Sequence, residues 1–279
     1  MKSFARSATS LIAAVGLALS GSALATAAPT TTAPTTSDTR SADAAPVGDH
    51  AMGSQIRKHE GGDGRSVVID TDPGAQAVVY GIDVSGHQGN VDWAYWWNQG
   101  KRFAYVKATE STNYRNPYFA QQYNGSYNIG MIRGAYHFAL PDRSGGAAQA
   151  DYFIANGGGW SRDGKTLPGA LDMEYNPYGS TCYGLSKAGM TSWVLSFSDR
   201  YHARTGRWPV IYTSTSWWNQ CVGGDFSSTN PLWVARYSTT VGTLPYAWPI
   251  YTIWQYSSSP IDQNQFNGAY DRLQALANG

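Results

Sequence analysis

From Val78 onward the chain is paced by short apolar runs that end in polar or acidic residues. Val78–Val84, Phe103–Ala108, Ile132–Phe138, Gly169–Glu174, Pro209–Thr213, Leu232–Tyr237 and Ile250–Tyr256 have the length of buried strands. Between the early runs lie stretches with helical spacing: Trp93–Gln99, Asn116–Asn128, Ala147–Ala155 and, longest, Lys187–Thr205. The later runs are separated by shorter or irregular connections. Such alternation predicts an α/β fold with a parallel sheet and crossover helices, closed or doubly wound. Seven or eight strands in a domain of about 200 residues favour a single TIM-like β/α barrel with some outer helices missing.

The first quarter of the chain has no such pattern. Residues 1–28 carry the early cations Lys2 and Arg6, an apolar run from Leu11 to Leu19, and small residues with Ala-X-Ala at Ala23 and Ala25. This is the form of a secretory signal, and the apolar run is too short to span a bilayer. Residues 29–71 are dominated by Thr, Pro, Ala, Ser, Asp and Gly and hold neither Trp nor Tyr, so they read as a disordered linker or a pro-segment. All 11 Trp and 19 Tyr lie from Tyr80 onward, which makes residues 72–279 the folded domain. No basic block stands out in a chain of net charge +1, so nucleic acid is not an expected partner. The mature protein is expected without a membrane anchor, and as a monomer. In an exported chain the two cysteines, Cys182 and Cys221, are expected to form one disulfide worth about 3–4 kcal/mol in the chain-entropy model. A metal pair is the competing reading, although neither cysteine has the short spacing of a zinc site.

A barrel demands that its chemistry gather where strands end. Asp83 ends the first run, and Lys107, Thr109 and Glu110 close the second. Tyr136 and His137 close the third, Asp172 and Glu174 the fourth, Tyr212 the fifth, and Asp262 follows the seventh. In Leu171-Asp172-Met173-Glu174 the carboxylates are two apart, so on a strand both point to one face. Like charges that close push one pKa upward, which yields a proton-holding acid beside an ionised partner. Glycosidic bond cleavage needs such a pair. An acidic strand end, or half of a cation site, would look the same taken alone.

Taken together the motifs resemble those of the glycoside hydrolase family 25 lysozymes, the Chalaropsis-type muramidases, most closely their secreted actinobacterial members. The resemblance runs from about Gly81 to Asn278. It rests on Gly81-Ile82-Asp83-Val84-Ser85, Tyr105-Val106-Lys107-Ala108-Thr109-Glu110, Arg133-Gly134-Ala135-Tyr136-His137-Phe138 and Leu171-Asp172-Met173-Glu174. Ile211-Tyr212-Thr213, Leu232-Trp233-Val234-Ala235 and Trp254-Gln255-Tyr256 complete it. The resemblance implies a β/α barrel that cleaves the β-1,4 bond between N-acetylmuramic acid and N-acetylglucosamine in bacterial peptidoglycan. It also implies Glu174 as general acid/base, Asp172 as its partner carboxylate, Asp83 as the first-strand aspartate and Asp262 as the late one.

Carboxylates so close on one face cannot flank a sugar as nucleophile and acid, so substrate assistance by the 2-acetamido group, with retention of configuration, is the expected mechanism. Tyr136 and Tyr212 are candidates to line the sugar cleft, with burial in the core the competing reading. Lys107 is a candidate partner of a catalytic carboxylate or a structural ion pair. The tryptophans Trp93, Trp96, Trp97, Trp217 and Trp218 read as core, and His137 as a hydrogen-bonded barrel histidine rather than a metal ligand. No metal constellation or phosphate-cradling glycine loop is apparent, so no cofactor is expected. Two positions depart from the family pattern: His87 stands where many relatives have tryptophan, and Tyr175 follows Glu174 where histidine is usual. Two other functions fit the same framework. A chitin-type endo-hydrolase would need two further aspartates where Pro168 and Ala170 stand, and a non-catalytic wall-binding module would need no shared proton.

Overall fold

Each of the seven apolar runs becomes a strand in a computed structural model that describes residues 48–62 and 77–279. The strands are β1 (Val79–Val84), β2 (Phe103–Glu110), β4 (Ile132–Phe138), β5 (Ala170–Asp172), β6 (Val210–Ser214), β7 (Leu232–Ala235) and β8 (Ile253–Ser257). They run parallel in the order β1-β2-β4-β5-β6-β7-β8. A further strand, β9 (Gln263–Phe266), lies antiparallel between β8 and β1 and closes an eight-stranded barrel. The short β3 (Tyr114–Arg115) only extends the end of β2 as a hairpin. The strand β9 was not expected, because Gln263-Asn264-Gln265-Phe266 carries no apolar run. The Asn264 amide points inward to Asp83 and Trp233 instead, and all four residues are buried.

Helices α2 (Trp93–Asn98), α3 (Phe119–Asn128), α4 (Gly146–Phe153) and α5 (Lys187–Thr205) fill the early crossovers, as their spacing predicts. Helix α5 starts on a capping Ser186, whose hydroxyl accepts the Gly189 N–H, and stops at a left-handed Gly206. It buries Met190, Trp193, Val194, Phe197 and Tyr201, a stripe at helical spacing, against the barrel. The crossover from β6 to β7 holds only α6 (Thr215–Cys221), and among the described residues none lies between β7 and β8. The final helix α7 (Tyr270–Asn278) follows β9. Some outer helices of a complete β/α barrel are therefore missing. Trp93, Trp217 and Trp218 are buried, while Trp96 and Trp97 are half-buried against the second core cluster.

Cys182 and Cys221 are joined as a disulfide with Cα atoms 5.4 Å apart, tying the loop after β5 to the end of α6. Replacing both by serine is expected to lower stability by about 3–4 kcal/mol, roughly 10 °C in Tm, measured by calorimetry. An unchanged Tm would contradict this role.

Of the two N-terminal readings, a disordered linker does not describe residues 48–62, whereas a pro-segment is compatible with them. Residues 1–28, 29–47 and 63–76 lie outside the described residues. Residues 48–62, however, are ordered against the strand ends, with a helix α1 at Ser54–Glu60. Met52 and Ile56, spaced four apart, supply an apolar stripe that composition alone does not reveal. Both are buried in the same core cluster as the barrel strands, which offsets the entropy of ordering this short stretch.

Candidate active site

Four carboxylates meet at the C-terminal end of the barrel. Strand β5 ends at Asp172, whose backbone pairs with Phe138 of β4 and Tyr212 of β6. One residue on, the Met173 N–H still donates to the Tyr212 carbonyl, 2.9 Å. Glu174 thus emerges two residues past Asp172, as period-two geometry predicts. Asp83 comes from β1, and Asp262 from the turn into β9, where its carbonyl accepts the Asp83 N–H at 3.2 Å. All four side chains are buried.

Their surroundings differ, and so does their titration. Burial pushes Glu174 up to about 8, partly offset by three backbone N–H groups that donate to it. Asp172 lies well above the usual carboxylate range, through burial first and then the charge of Glu174. Neither of its oxygens has a hydrogen-bond partner among the described residues. Asp83 is pushed up to about 7 by burial, although Asn264 Nδ2 and Gln255 Nε2 donate to its Oδ2 at 2.7 and 2.9 Å. Asp262 is raised well above its usual value by burial and by Asp83. Keeping several acids neutral in a shared pocket is how a site stores a proton near neutral pH.

The polar frame around these acids includes residues to which the sequence assigned no role, although Gln255 stands in one of the motifs. Gln255 is central: besides donating to Asp83, its Oε1 accepts from the Tyr212 hydroxyl at 2.6 Å and lies 2.8 Å from that of Tyr237. Gln255 and Asn264 face each other in the register of β8 and β9, which is why both reach Asp83. The only available signal was Gln255 inside the apolar run Ile253–Tyr256. Replacing Gln255 by Leu removes one of the two donors to Asp83 and should raise its pKa further above 7. Carboxyl-carbon NMR titration measures this, and a fall would contradict the assignment.

Tyr136 and Tyr212 sit at the expected strand ends and are fully buried. Lys107 is also buried, but its ammonium contacts Glu110 at 2.5 Å and Asp49 at 3.0 Å. Its partner is therefore Glu110 rather than either member of the Asp172/Glu174 pair, although its charge still draws both of their pKa values downward. His137 lies 2.7 Å from Thr109 Oγ1 and 2.9 Å from Gln149 Oε1, and burial pushes it down to about 4. Both ring nitrogens are thus engaged, and among the described residues no cluster suits a metal ion.

The donors to Glu174 come from the N-terminal segment. Gly53 N–H donates to Oε1 at 2.9 Å, and Gln55 and Ile56 N–H donate to Oε2 at 2.8 and 2.9 Å. The Met52 N–H donates to the Tyr136 hydroxyl at 3.1 Å, and Arg57 approaches Asp262 at 3.8 Å. His87 turns its Nε2 to the Asp49 carbonyl.

A closed α/β barrel whose strand ends gather buried, protonatable carboxylates is the framework of an acid-dependent glycoside hydrolase. Comparison with known proteins narrows that class. The model of the family "Glycosyl hydrolases family 25" matches residues 82–265. Lysozyme M1 of Streptomyces globisporus is 50% identical over 216 residues, covering 74% of this chain and 74% of its own. The N,O-diacetylmuramidase of Chalaropsis sp is 50% identical over 210 residues, 72% of this chain and 100% of its own. The solved structure of the muramidase from Acremonium alcalophilum superposes with a TM-score of 0.70 at 55% identity, covering 72% of this chain and 99% of that one. The chain belongs to glycosyl hydrolase family 25.

Proposed function

We propose that this family 25 glycoside hydrolase is a lysozyme acting on the β-1,4 bond between N-acetylmuramic acid and N-acetylglucosamine of bacterial peptidoglycan. Glu174 is the acid/base and Asp172 assists the substrate acetamido group. The observation that carries the assignment of roles is geometric: Asp172 and Glu174 leave the end of β5 two residues apart, both fully buried, and neither Asp172 oxygen has a hydrogen-bond partner among the described residues.

In the first step Glu174 gives its proton to the leaving glycosidic oxygen while the muramic acid 2-acetamido oxygen attacks the anomeric carbon. The C–O bond to the leaving sugar breaks as the bond to the acetamido oxygen forms, giving an oxazolinium ion. Asp172, whose oxygens have no other partner among the described residues, accepts a hydrogen bond from the acetamido N–H and orients the attacking oxygen. In the second step Glu174, now ionised, takes a proton from water as that water opens the ring, restoring the acid. Asp83 and Asp262 form the polar wall of the site on the side of β1, and the hydroxyls of Tyr136, Tyr212 and Tyr237 supply hydrogen bonds to sugar groups.

Among the described residues no helix is long and apolar enough to cross a membrane. Residues 1–28 as an export signal and the Cys182–Cys221 disulfide support a protein that works outside the cell, where its substrate lies.

The test is digestion of purified peptidoglycan by the chain cut at a protease site engineered after Gly62, with mass spectrometry of borohydride-reduced products. Fragments ending in reduced muramic acid are expected. Fragments ending in reduced N-acetylglucosamine would place the right chemistry on the other bond, and no fragments would leave only wall binding.

A further inference from the structure

Residues 48–60 occupy the space that the proposed reaction requires. Glu174 cannot reach a glycosidic oxygen while three backbone N–H groups of residues 53, 55 and 56 fill its acceptor positions. We propose that residues 48–62 are a built-in inhibitor that seats in the sugar cleft, and that severing the chain after Gly62 releases the active enzyme. The inference rests on the reading of Glu174 as the acid.

The seat is specific along its length. At one end the His50 carbonyl accepts from Lys107 Nζ at 2.6 Å, while His50 N–H and Nδ1 lie 3.0 and 2.9 Å from the Glu110 carboxylate. In the middle, Met52 and Ile56 are buried to 0% and 1% exposure, beside the bonds to Tyr136 and Glu174. At the far end Glu60 accepts from the Tyr175 hydroxyl at 2.9 Å, and from Ser214 Oγ, while His59 stacks on Tyr175 at 4.4 Å. Main-chain N–H groups thus engage the Tyr136 hydroxyl and the Glu174 carboxyl, the two groups among these that the proposed reaction turns toward the sugar. A stretch that bound only to tie down a linker would have no need of the catalytic acid.

Gly53 is the point where the fit admits no side chain. Its φ is +76°, and a Cβ there would lie 2.5 Å from the Tyr212 hydroxyl and 2.6 Å from Gln255 Oε1. Those atoms are bonded to each other and cannot retreat independently. The residue itself belongs to the inhibitory segment, so changing it leaves the barrel untouched. The family model matches residues 82–265, so residues 48–62 lie outside the part of the chain that it describes.

Tethering explains how so short a segment could hold the cleft closed. Covalent attachment within one chain gives an effective concentration of about 1 mM, so a segment with a Kd of about 10 μM would keep roughly 99% of molecules closed. After cleavage and dilution to about 0.1 μM, the same Kd leaves the cleft open.

The experiment uses the full chain with a protease site placed after Gly62, assayed on soluble peptidoglycan fragments before and after cutting. A synthetic peptide of residues 48–62 is then added back, and its binding to the cut protein is read separately by calorimetry. The expected result is a gain of about 100-fold on cutting, reversed by the peptide through a raised KM at constant kcat. Gly53→Val in the chain is expected to make the uncut protein active, and the same change in the added peptide to abolish its binding, with the cut enzyme itself unchanged. Equal activity before and after cutting, or a Gly53→Val chain as silent as the parent, would overturn the proposal. Calorimetry separates the two readings. Peptide binding to a cut protein that hydrolyses nothing would sink the assignment of the reaction but keep the seat, and activity without peptide binding would sink the inhibitor alone.

Discussion

Glu174→Gln is expected to reduce hydrolysis of peptidoglycan by the cut chain by about 10³-fold or more. General acid catalysis alone is worth about 10²–10⁴, and the same residue is needed again as base in the second step. Glutamine keeps the shape but has a single acceptor oxygen, so at least one of the Gly53, Gln55 and Ile56 N–H groups would face its NH2 and lose its acceptor, which is why the rate is read on the cut chain. Loss of rate with unchanged KM for soluble fragments is therefore the signature, because the side chain acts on the transition state rather than on binding. The alkaline limb of the wild-type profile is informative too. Burial raises Glu174 to about 8 with the segment seated, and three N–H donors oppose that shift. Uncovering the cleft removes both influences, so the limb that depends on protonated Glu174 should move with release of the segment. Retention of more than a tenth of the wild-type rate by the glutamine variant would mean that Glu174 is not the acid.

Asp172→Asn should also cost heavily in rate, about 10²-fold or more, yet raise stability at neutral pH. Its carboxylate is buried without a hydrogen-bond partner among the described residues and beside another acid. Folding therefore raises its pKa above the unfolded value. The sign follows: the folded state binds more protons than the unfolded chain at pH values above about 4. Stability from this group is thus greatest at acid pH and declines as pH rises from the unfolded pKa towards the folded one. Asparagine removes that decline, so the variant should gain about 1–3 kcal/mol over wild type at pH 7 and little at pH 3.5. A variant less stable at pH 7 would show that Asp172 is held by bonds that favour its charge. Activity traded against stability in this way marks a residue kept for chemistry.

The parallel strands were legible because each is a nearly continuous apolar run, the pattern that burial on both faces imposes. The i, i+2 spacing was enough to bring Asp172 and Glu174 out together, since strand geometry alone fixes it. Three features escaped for physical reasons. The strand β9 is built of amides whose burial is offset by bonds to Asp83 and Trp233, which no hydropathy pattern records. Gln255 is an inward polar residue in an apolar run, and its meaning depends on a register set by chain pairing. Residues 48–62 are polar in composition, and their order comes from partners more than a hundred residues away, such as Glu174. Lys107 shows the limit in another form: the sequence put it at the mouth of the barrel, but only the side-chain geometry pairs it with Glu110 rather than Asp172 or Glu174.

The stereochemistry of the first product tests the pairing of Asp172 with Glu174 most directly. Proton NMR during rapid digestion of a soluble peptidoglycan fragment by the cut chain reads the anomeric signal of the new reducing muramic acid before mutarotation. Assistance by the acetamido group passes through two inversions, so the β-anomer should appear first. Initial release of the α-anomer would mean that water attacks directly from the opposite face, and that neither Asp172 nor the acetamido group has the role proposed for it.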